Sequence, residues 1–454
     1  MTSVLLIYPY FKPRRDRSVF RFPPLGVSYI AATLLQAGYH VTLIDCTFLS
    51  RSEALTRALS QNAEVVGIYC MVTMLEDSLW LAEELRDRCK LLIAGGPLPT
   101  CDPGPFLECF DIAVLGEGEQ TIQDVLHAYE QGGALGGVPG IAYRKKLGVD
   151  QDEPVITPAR PFEQELDSIP FPARELLPNA DYIQFGKKKY GYSITTVMST
   201  RGCPFRCEFC SNVVFGGSYR ERSPSNVVDE IEEALKLGYE RISFADDVFT
   251  LKRSRVLGLC EEIERRGLHF AWECLGRVDA MDDAIAGAMK KAGCYRVYFG
   301  VESGSDETLR LMNKKITTEE ARTAVEAAHR AGLEVGAFFI LFYPGDTEDT
   351  VMETLKFAAS LPLDYLGLTL PYPLPGTALY TRVKKRITRE WHPGESVFGS
   401  HSLIFSSEFS ATKMWFGILK GQGLFRLKKL SGGKPSPLVS IFDRTTDVVF
   451  GLLK

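Results

Sequence analysis

Three cysteines, Cys203, Cys207 and Cys210, stand in the run STRGCPFRCEFCSN, spaced CxxxCxxC with Phe209 just before the last. Thiolates gathered on one short loop suit a soft metal centre. Closed iron–sulfur clusters normally take four cysteines, so three point to a cluster with one iron left open. A zinc knuckle is the alternative reading. It wants a fourth Cys or His close by, and His269 is far downstream. The apolar, β-branched residues 193–200 precede a Gly/Pro loop, which predicts a strand delivering the cysteines at its C-terminal end.

The elements that must hold this loop follow from periodicity. Strands are predicted at 194–200, 241–245, 270–274, 295–301, 334–342 and 365–370, with helices near 226–237, 253–266, 282–291, 318–331 and 347–360. Gly238, Gly267, Gly293 and Gly332 close four of these helices. The pattern over 191–392 predicts a partial (β/α)6 TIM-type barrel, whose chemistry lies at the C-terminal strand ends. Several polar residues fall there. Asp246 and Asp247 end the second strand, and adjacent carboxylates are costly unless solvated or paired with a cation; Asp247 also suits a helix start. Arg277 follows the third strand, where a guanidinium fork fits a carboxylate. Glu302 and Ser303 end the fourth, with Ser305 and Asp306 read as helix caps. Arg201 and Arg206 flank the triplet, either tuning its charge or forming surface salt bridges. Most other cysteines read as small buried hydrophobes, with Cys274 at a strand end as a candidate for the cavity. Tyr298, Tyr343, Tyr372 and Tyr380 read as core packing or pocket lining.

Residues 1–145 alternate short strands (4–8, 40–44, 65–69, 91–94, 112–115) with helices, which predicts a doubly wound, Rossmann-like parallel sheet. Ligands of such sheets bind outside the strand C-termini. Gly95 and Gly96 follow the fourth strand, and Gly116 and Gly118 the fifth, where a missing Cβ admits a ligand to the backbone. Residues 146–190 are proline-rich and read as a linker wrapped along two domains. Residues 393–454 read as a small, mostly helical extension. Its stretch 413–430 mixes apolar and basic residues. That pattern suits a helix over the barrel mouth with a solvated basic face, or one lying on a membrane or amphiphilic substrate.

A chain of 454 residues with 45% apolar and 24% charged content reads as an ordinary globular protein of two or three domains. A net charge of −5 gives no bulk electrostatic case for nucleic acid. Eleven cysteines with one clustered triplet suggest a reducing, cytoplasmic setting and not a secreted disulfide framework. The start, MTSVLLIYPYF, reads as a first strand and not a signal peptide. No uncharged apolar run reaches the roughly 20 residues of a spanning helix.

The cysteine triplet resembles the signature of radical S-adenosylmethionine (SAM) enzymes. GGPLPT at 95–100, GEGEQT at 116–121, the loop 9–24 and the stretch 159–178 resemble the members that carry a cobalamin-binding domain. The resemblance spans residues 4 to about 380. It implies a [4Fe-4S] cluster on Cys203, Cys207 and Cys210 whose open iron is chelated by the amino and carboxylate groups of SAM. It further implies Phe209 beside the adenine, Asp246 and Asp247 toward the SAM amino group, and Glu302, with Ser303, at the ribose. Arg277 would pair with the SAM carboxylate, and Gly336 with the turn 343–347 would border the adenine as a flat ring. Gly95, Gly96, Gly116 and Gly118 would meet cobalamin. Loop 9–24 contains no histidine, so cobalamin would be base-off without a protein ligand, or absent. The implied activity is methylation of an unactivated carbon or phosphorus centre in a small-molecule or lipid-like substrate. Radical cyclisation or rearrangement is the alternative, and a non-enzymatic sensor a distant third. An external electron donor such as flavodoxin or ferredoxin is implied; peripheral membrane contact stays open but is not expected.

Overall fold

The structure is a computed structural model describing residues 2–11, 21–146, 152–388, 403–432 and 436–453. Most of the loop 9–24 therefore lies outside the described residues.

Aliphatic runs form β1 (Ser3–Tyr8), β2 (His40–Asp45), β3 (Val65–Tyr69), β4 (Leu91–Gly95) and β5 (Ile112–Val114), parallel in the order β2-β1-β3-β4-β5. Their near-continuous apolar character follows from burial on both faces. Val27, Ala31 and Leu34 of α1 (Leu25–Gln36) and Ile122, Val125 and Leu126 of α5 (Glu119–Glu130) cover one face. Ala54 and Ala58 of α2 (Arg51–Ser60) and Leu81, Ala82 and Leu85 of α3 (Leu75–Leu85) cover the other. A single turn, α4 (Pro97–Cys101), follows β4. Strand order reverses between β1 and β3, which opens a crevice at their C-terminal ends.

Two antiparallel strands, β6 (Ile141–Lys146) and β7 (Asp152–Ile156), extend this sheet to seven. The stretch 146–190, read as a linker, thus contributes an edge strand to this sheet. Pro154 sits in β7, an edge strand, where a residue without an N–H is tolerated. After Pro178 the chain forms α6 (Asn179–Tyr190), ended by Gly191 at φ 82°. Tyr182 of α6 is buried and donates its hydroxyl to Asp45 at 2.6 Å.

The second sheet has six parallel strands in chain order: β8 (Ile194–Val197), then, beyond the short antiparallel pair β9 (Thr200–Arg201) and β10 (Arg220–Glu221), β11 (Arg241–Phe244), β12 (Ala271–Gly276), β13 (Cys294–Glu302), β14 (Glu334–Ile340) and β15 (Tyr365–Thr369). This is the order of a (β/α) barrel left open between β15 and β8. The outer layer comprises α7 (Pro224–Lys236), α8 (Arg253–Arg265), α9 (Asp283–Lys291), α10 (Asp306–Leu311), α11 (Thr318–Arg330) and α12 (Glu348–Ser360). Val297, Phe299 and Val301 of β13 and Val335, Ala337 and Phe339 of β14 pack toward these helices. The alternate residues, including Arg296, Tyr298, Gly300 and Glu302, therefore face the concave side. The helix-closing glycines 238, 267, 293 and 332 all have φ between 64° and 100°.

After α13 (Ala378–Val383), α14 (Ala411–Leu430) packs on α12 and β15, and α15 (Pro437–Leu452) packs on α14. A Cβ on Gly417 would lie 2.7 Å from the Phe342 ring, and one on Gly421 2.5 Å from Leu368, so the glycines set the close approach. The expected solvated basic face forms only in part, through Arg426 and Lys429. Lys413 and Lys420 are buried, Lys413 on Glu348 and Lys420 on Asp443 (2.7 Å) and Asp447 (2.8 Å).

Candidate active site

The cysteine loop leaves β8 through a buried polar knot. Ser199 N (2.6 Å) and Thr200 N (3.1 Å) donate to Asp246 Oδ1, and the Ser199 hydroxyl donates to Oδ2. Arg255, itself buried, stands 3.7 Å from that carboxylate. Asp246 thus anchors the root of the loop, where it was expected to meet the SAM amino group. Gly202, at φ 84°, could carry no side chain: a Cβ would lie 2.2 Å from Ser218 O. The loop is tied further along by Glu208 N to Met312 O (2.9 Å), Leu379 N to Glu208 O (2.8 Å) and Asn313 Nδ2 to Arg206 O (2.6 Å).

Cys203 and Cys207 are half-buried and Cys210 is the exposed member. Protein packed about the sulfurs raises all three thiols by desolvation; Cys210, crowded in addition by the charges of Cys207 and Cys203, is pushed up to about 12. Asp247, Arg277, Glu302 and Lys314 all act electrostatically on one or more of these thiols. They come from the C-terminal ends of β11, β12 and β13 and from the segment after α10. Desolvation first, then the charge of Asp246, lifts the Asp247 carboxyl above the usual range.

Arg277 is already engaged. Its Nε and Nη2 donate to Asp279 at 2.9 and 3.0 Å, and its guanidinium lies 3.5 Å from the Phe205 ring centre. The guanidinium expected to meet the SAM carboxylate is held by Asp279 and Phe205 in this structure. Glu302 has φ 69°, a costly conformation for a side-chain-bearing residue, at an irregularity in the β13–β14 pairing. Its Oε1 accepts from Lys314 Nζ at 2.8 Å in a buried pair. Gly300 makes room, since a Cβ there would lie 2.4 Å from Glu302 Oε1 and 2.9 Å from Lys314 Nζ. Lys314, whose Nζ also stands 5.7 Å from the Phe209 ring centre, was not legible in the sequence as a site residue.

The structure places three further residues named from the sequence. The Ser303 hydroxyl is spent on Thr354 Oγ1 (2.9 Å) and Ser305 N (3.1 Å) in a buried loop. Gly336 lies near the start of β14, not its C-terminal end, and the flat ring it admits is that of Tyr298, 2.2 Å from where its Cβ would be. Cys274 faces the helix-side core. Of the two residues read as helix caps, Ser305 makes no side-chain cap bond, and Asp306 Oδ1 accepts from Thr318 N at the start of α11.

At the crevice of the first sheet lies a cavity of about 260 Å³, lined by Gly95, Gly96, Gly116 and Gly118 with Leu6, Gly67 and Tyr69 from the strand ends. Met198, Arg201, Val214 and Phe215 from the second sheet's side complete it, so it reaches the loop of the cysteines. The four glycines differ. A Cβ on Gly95 would meet nothing within 4 Å, and one on Gly116 only Val214 O at 3.8 Å, so both leave a bare cradle that fits the buried part of a large cofactor such as cobalamin. Gly96 (φ 110°) is required by Cys70 O, 2.7 Å from its Cβ position, while a Cβ on Gly118 would meet the side-chain tip of Ile30 of α1 at 2.9 Å. Among the described residues no histidine lines this cavity.

The seam around the cavity is ionic and buried. Arg201, far from a surface position, binds Glu117 (3.1 Å) and Glu119 (2.6 Å), and Arg220 binds Glu117 at 2.8 Å, all within or beside the second glycine turn. Arg174, from the proline-rich stretch, donates to Thr195 Oγ1 (3.1 Å) and Thr196 O (2.7 Å) of β8 and pairs with the fully buried Glu230. The neighbouring Ala173 N donates to Ser28 O of α1 at 3.0 Å, so this stretch grips both sheets.

Residues 197–358 match the model of the radical SAM superfamily, and residues 12–126 that of the B12 binding domain. An uncharacterized methyltransferase of Pyrococcus horikoshii is 33% identical over 388 residues, covering 83% of this chain and 82% of that protein. The anaerobic magnesium-protoporphyrin IX monomethyl ester cyclase of Rubrivivax gelatinosus is 29% identical, covering 85% and 70%. In fold, the radical SAM methyltransferase TsrM from Kitasatospora setae aligns with a TM-score of 0.71 at 19% identity, covering 85% and 75%. The chain belongs to the radical SAM enzymes that carry a B12-binding domain, and its cofactors are a [4Fe-4S] cluster, SAM and cobalamin.

Proposed function

We propose that this enzyme transfers a methyl group to an unactivated carbon, or phosphorus, centre of a small-molecule or amphiphilic substrate. The observation that carries the reading is the shared cavity. The glycine turns of the first sheet and the residues flanking the cysteine triplet, Met198, Arg201, Val214 and Phe215, line one space. Two cofactors held at its two sides can act on one substrate. Cobalamin, methylated by one SAM, would supply the methyl group, while a second SAM on the reduced cluster would supply the hydrogen-abstracting radical.

The chain's own residues have distinct tasks in this reading. Cys203, Cys207 and Cys210 hold the cluster, with reducing equivalents from an external donor. Asp247 accepts from the SAM ammonium, Glu302 from the ribose hydroxyls through the oxygen not paired with Lys314, and Phe209 flanks the adenine. Gly95 and Gly116 admit cobalamin to the backbone, and Gly96 and Gly118 hold the turns that bear them. The substrate rests against an apolar wall on the concave side, where Leu275 and Phe338 are each 42% exposed although they lie within barrel strands. That wall keeps water from the reacting centre.

A radical cyclisation without net methyl transfer is the second reading, favoured by the likeness to the Rubrivivax cyclase. Anaerobically reconstituted protein, methyl-labelled SAM, a reductant and a small-molecule cell extract as acceptor separate the two. Labelled product with 5′-deoxyadenosine supports methyl transfer; deoxyadenosine with unlabelled product supports cyclisation. No SAM cleavage from cluster-loaded protein would remove both.

A further inference from the structure

α15 presents its apolar side to solvent. Leu438, Ile441, Val448 and Leu452 are 70, 62, 65 and 77% exposed, and Leu430 at the end of α14 is 84% exposed. Spacings of three, seven and four residues place the first four along one stripe, the outward face that a surface helix normally makes polar. The charge distribution is equally one-sided. Asp443 and Asp447 are the only carboxylates in residues 411–453. Both turn inward to Lys420. The exposed charges on these helices, including Arg426 and Arg444, are cationic, and Arg444 lies a turn from both Ile441 and Val448.

We infer that the α15 face docks on an anionic lipid surface. Its aliphatic side chains enter the headgroup–acyl boundary and the arginines meet lipid phosphates, the combination that holds an amphipathic helix in the interface plane. A second copy is the poorer occupant, because a two-fold contact through this face would set like charges together without carboxylates to offset them. Docking is peripheral: among the described residues no helix is long and apolar enough to cross a membrane. The inference does not depend on the reaction proposed above.

The test is co-sedimentation of the cluster-loaded full chain with phosphatidylcholine vesicles containing one-quarter phosphatidylglycerol, and with pure phosphatidylcholine. Binding is expected to the anionic vesicles and to weaken several-fold in 0.5 M salt. The double variant I441E/V448E should lose at least tenfold in partitioning. R444Q should lose about fivefold, the equivalent of roughly 1 kcal/mol per cation. Iron content and circular dichroism should be unchanged in both, because the substituted side chains are exposed; I441S serves as a milder second variant. Failure of the wild-type chain to sediment with anionic vesicles overturns the inference, as does undiminished sedimentation of all three variants. A dimer in lipid-free solution that I441E/V448E converts to monomer, with no vesicle binding, assigns the face to a second copy instead.

Discussion

Gly95 and Gly116 differ from their neighbours Gly96 and Gly118 in what a side chain would meet: open cavity in one case, protein in the other. Gly95→Leu should therefore fill the cradle without straining the turn, lowering bound cobalt at least tenfold while iron content is retained, as measured by metal analysis of anaerobically purified protein. Asp246 carries a different load. Asp246→Ala would leave Arg255 buried without its carboxylate and two backbone amides unpaired, costing about 3 kcal/mol in denaturant unfolding and loosening the cluster loop. The cysteines were legible because their spacing is itself the chemistry. Asp246, Arg277 and Ser303 were legible only as polar groups at strand ends. Their partners, Ser199, Asp279 and Thr354, decide whether a carboxylate or hydroxyl faces a ligand or a loop, and partnership is set by tertiary packing. Lys314 escaped notice for the same reason: nothing local marks a lysine twelve positions beyond Glu302 as its buried counter-ion.

Strand and helix periods made both parallel sheets readable, since apolar strands alternating with amphipathic helices admit few other arrangements. Height along a strand was less readable. β14 begins at Glu334, so Gly336 is set low in the barrel however well its surroundings match a motif. Prolines misled in 146–190, where an edge strand tolerates Pro154 and a helix begins directly after Pro178. In the C-terminal extension the basic residues suggested a wet face, and the glycines that let α14 approach the barrel also took Lys413 and Lys420 indoors. Lys420→Ala should leave Asp443 and Asp447 without their buried cation, costing about 3 kcal/mol. Its expected signature is release of α15, seen as faster limited proteolysis after residue 430 with the barrel fragment intact.

For the whole molecule, the two sheets are joined by charges that neither half can satisfy alone. Arg201→Met should strand Glu119 and leave Glu117 to Arg220 alone at a buried seam, at a cost of about 3 kcal/mol, and split a single unfolding transition into two as the coupling between halves weakens. Replacing Cys203, Cys207 and Cys210 together with Ala should remove the iron yet leave cobalamin bound, because the cradle glycines belong to the other sheet; loss of both cofactors would show that the loop, and not the strand ends, secures cobalamin. Inside the barrel, Tyr298 lies over Gly336, Phe338 lies over Gly367, and the two rings stack at 5.5 Å. The wall is therefore tiled, each ring roofing the bare backbone of the next strand. Tiles offer no notch for a substituent to catch. A substrate resting on such a surface, as proposed above, would be sorted by thickness more than by outline, with the choice among equally thin molecules left to the charged rim above.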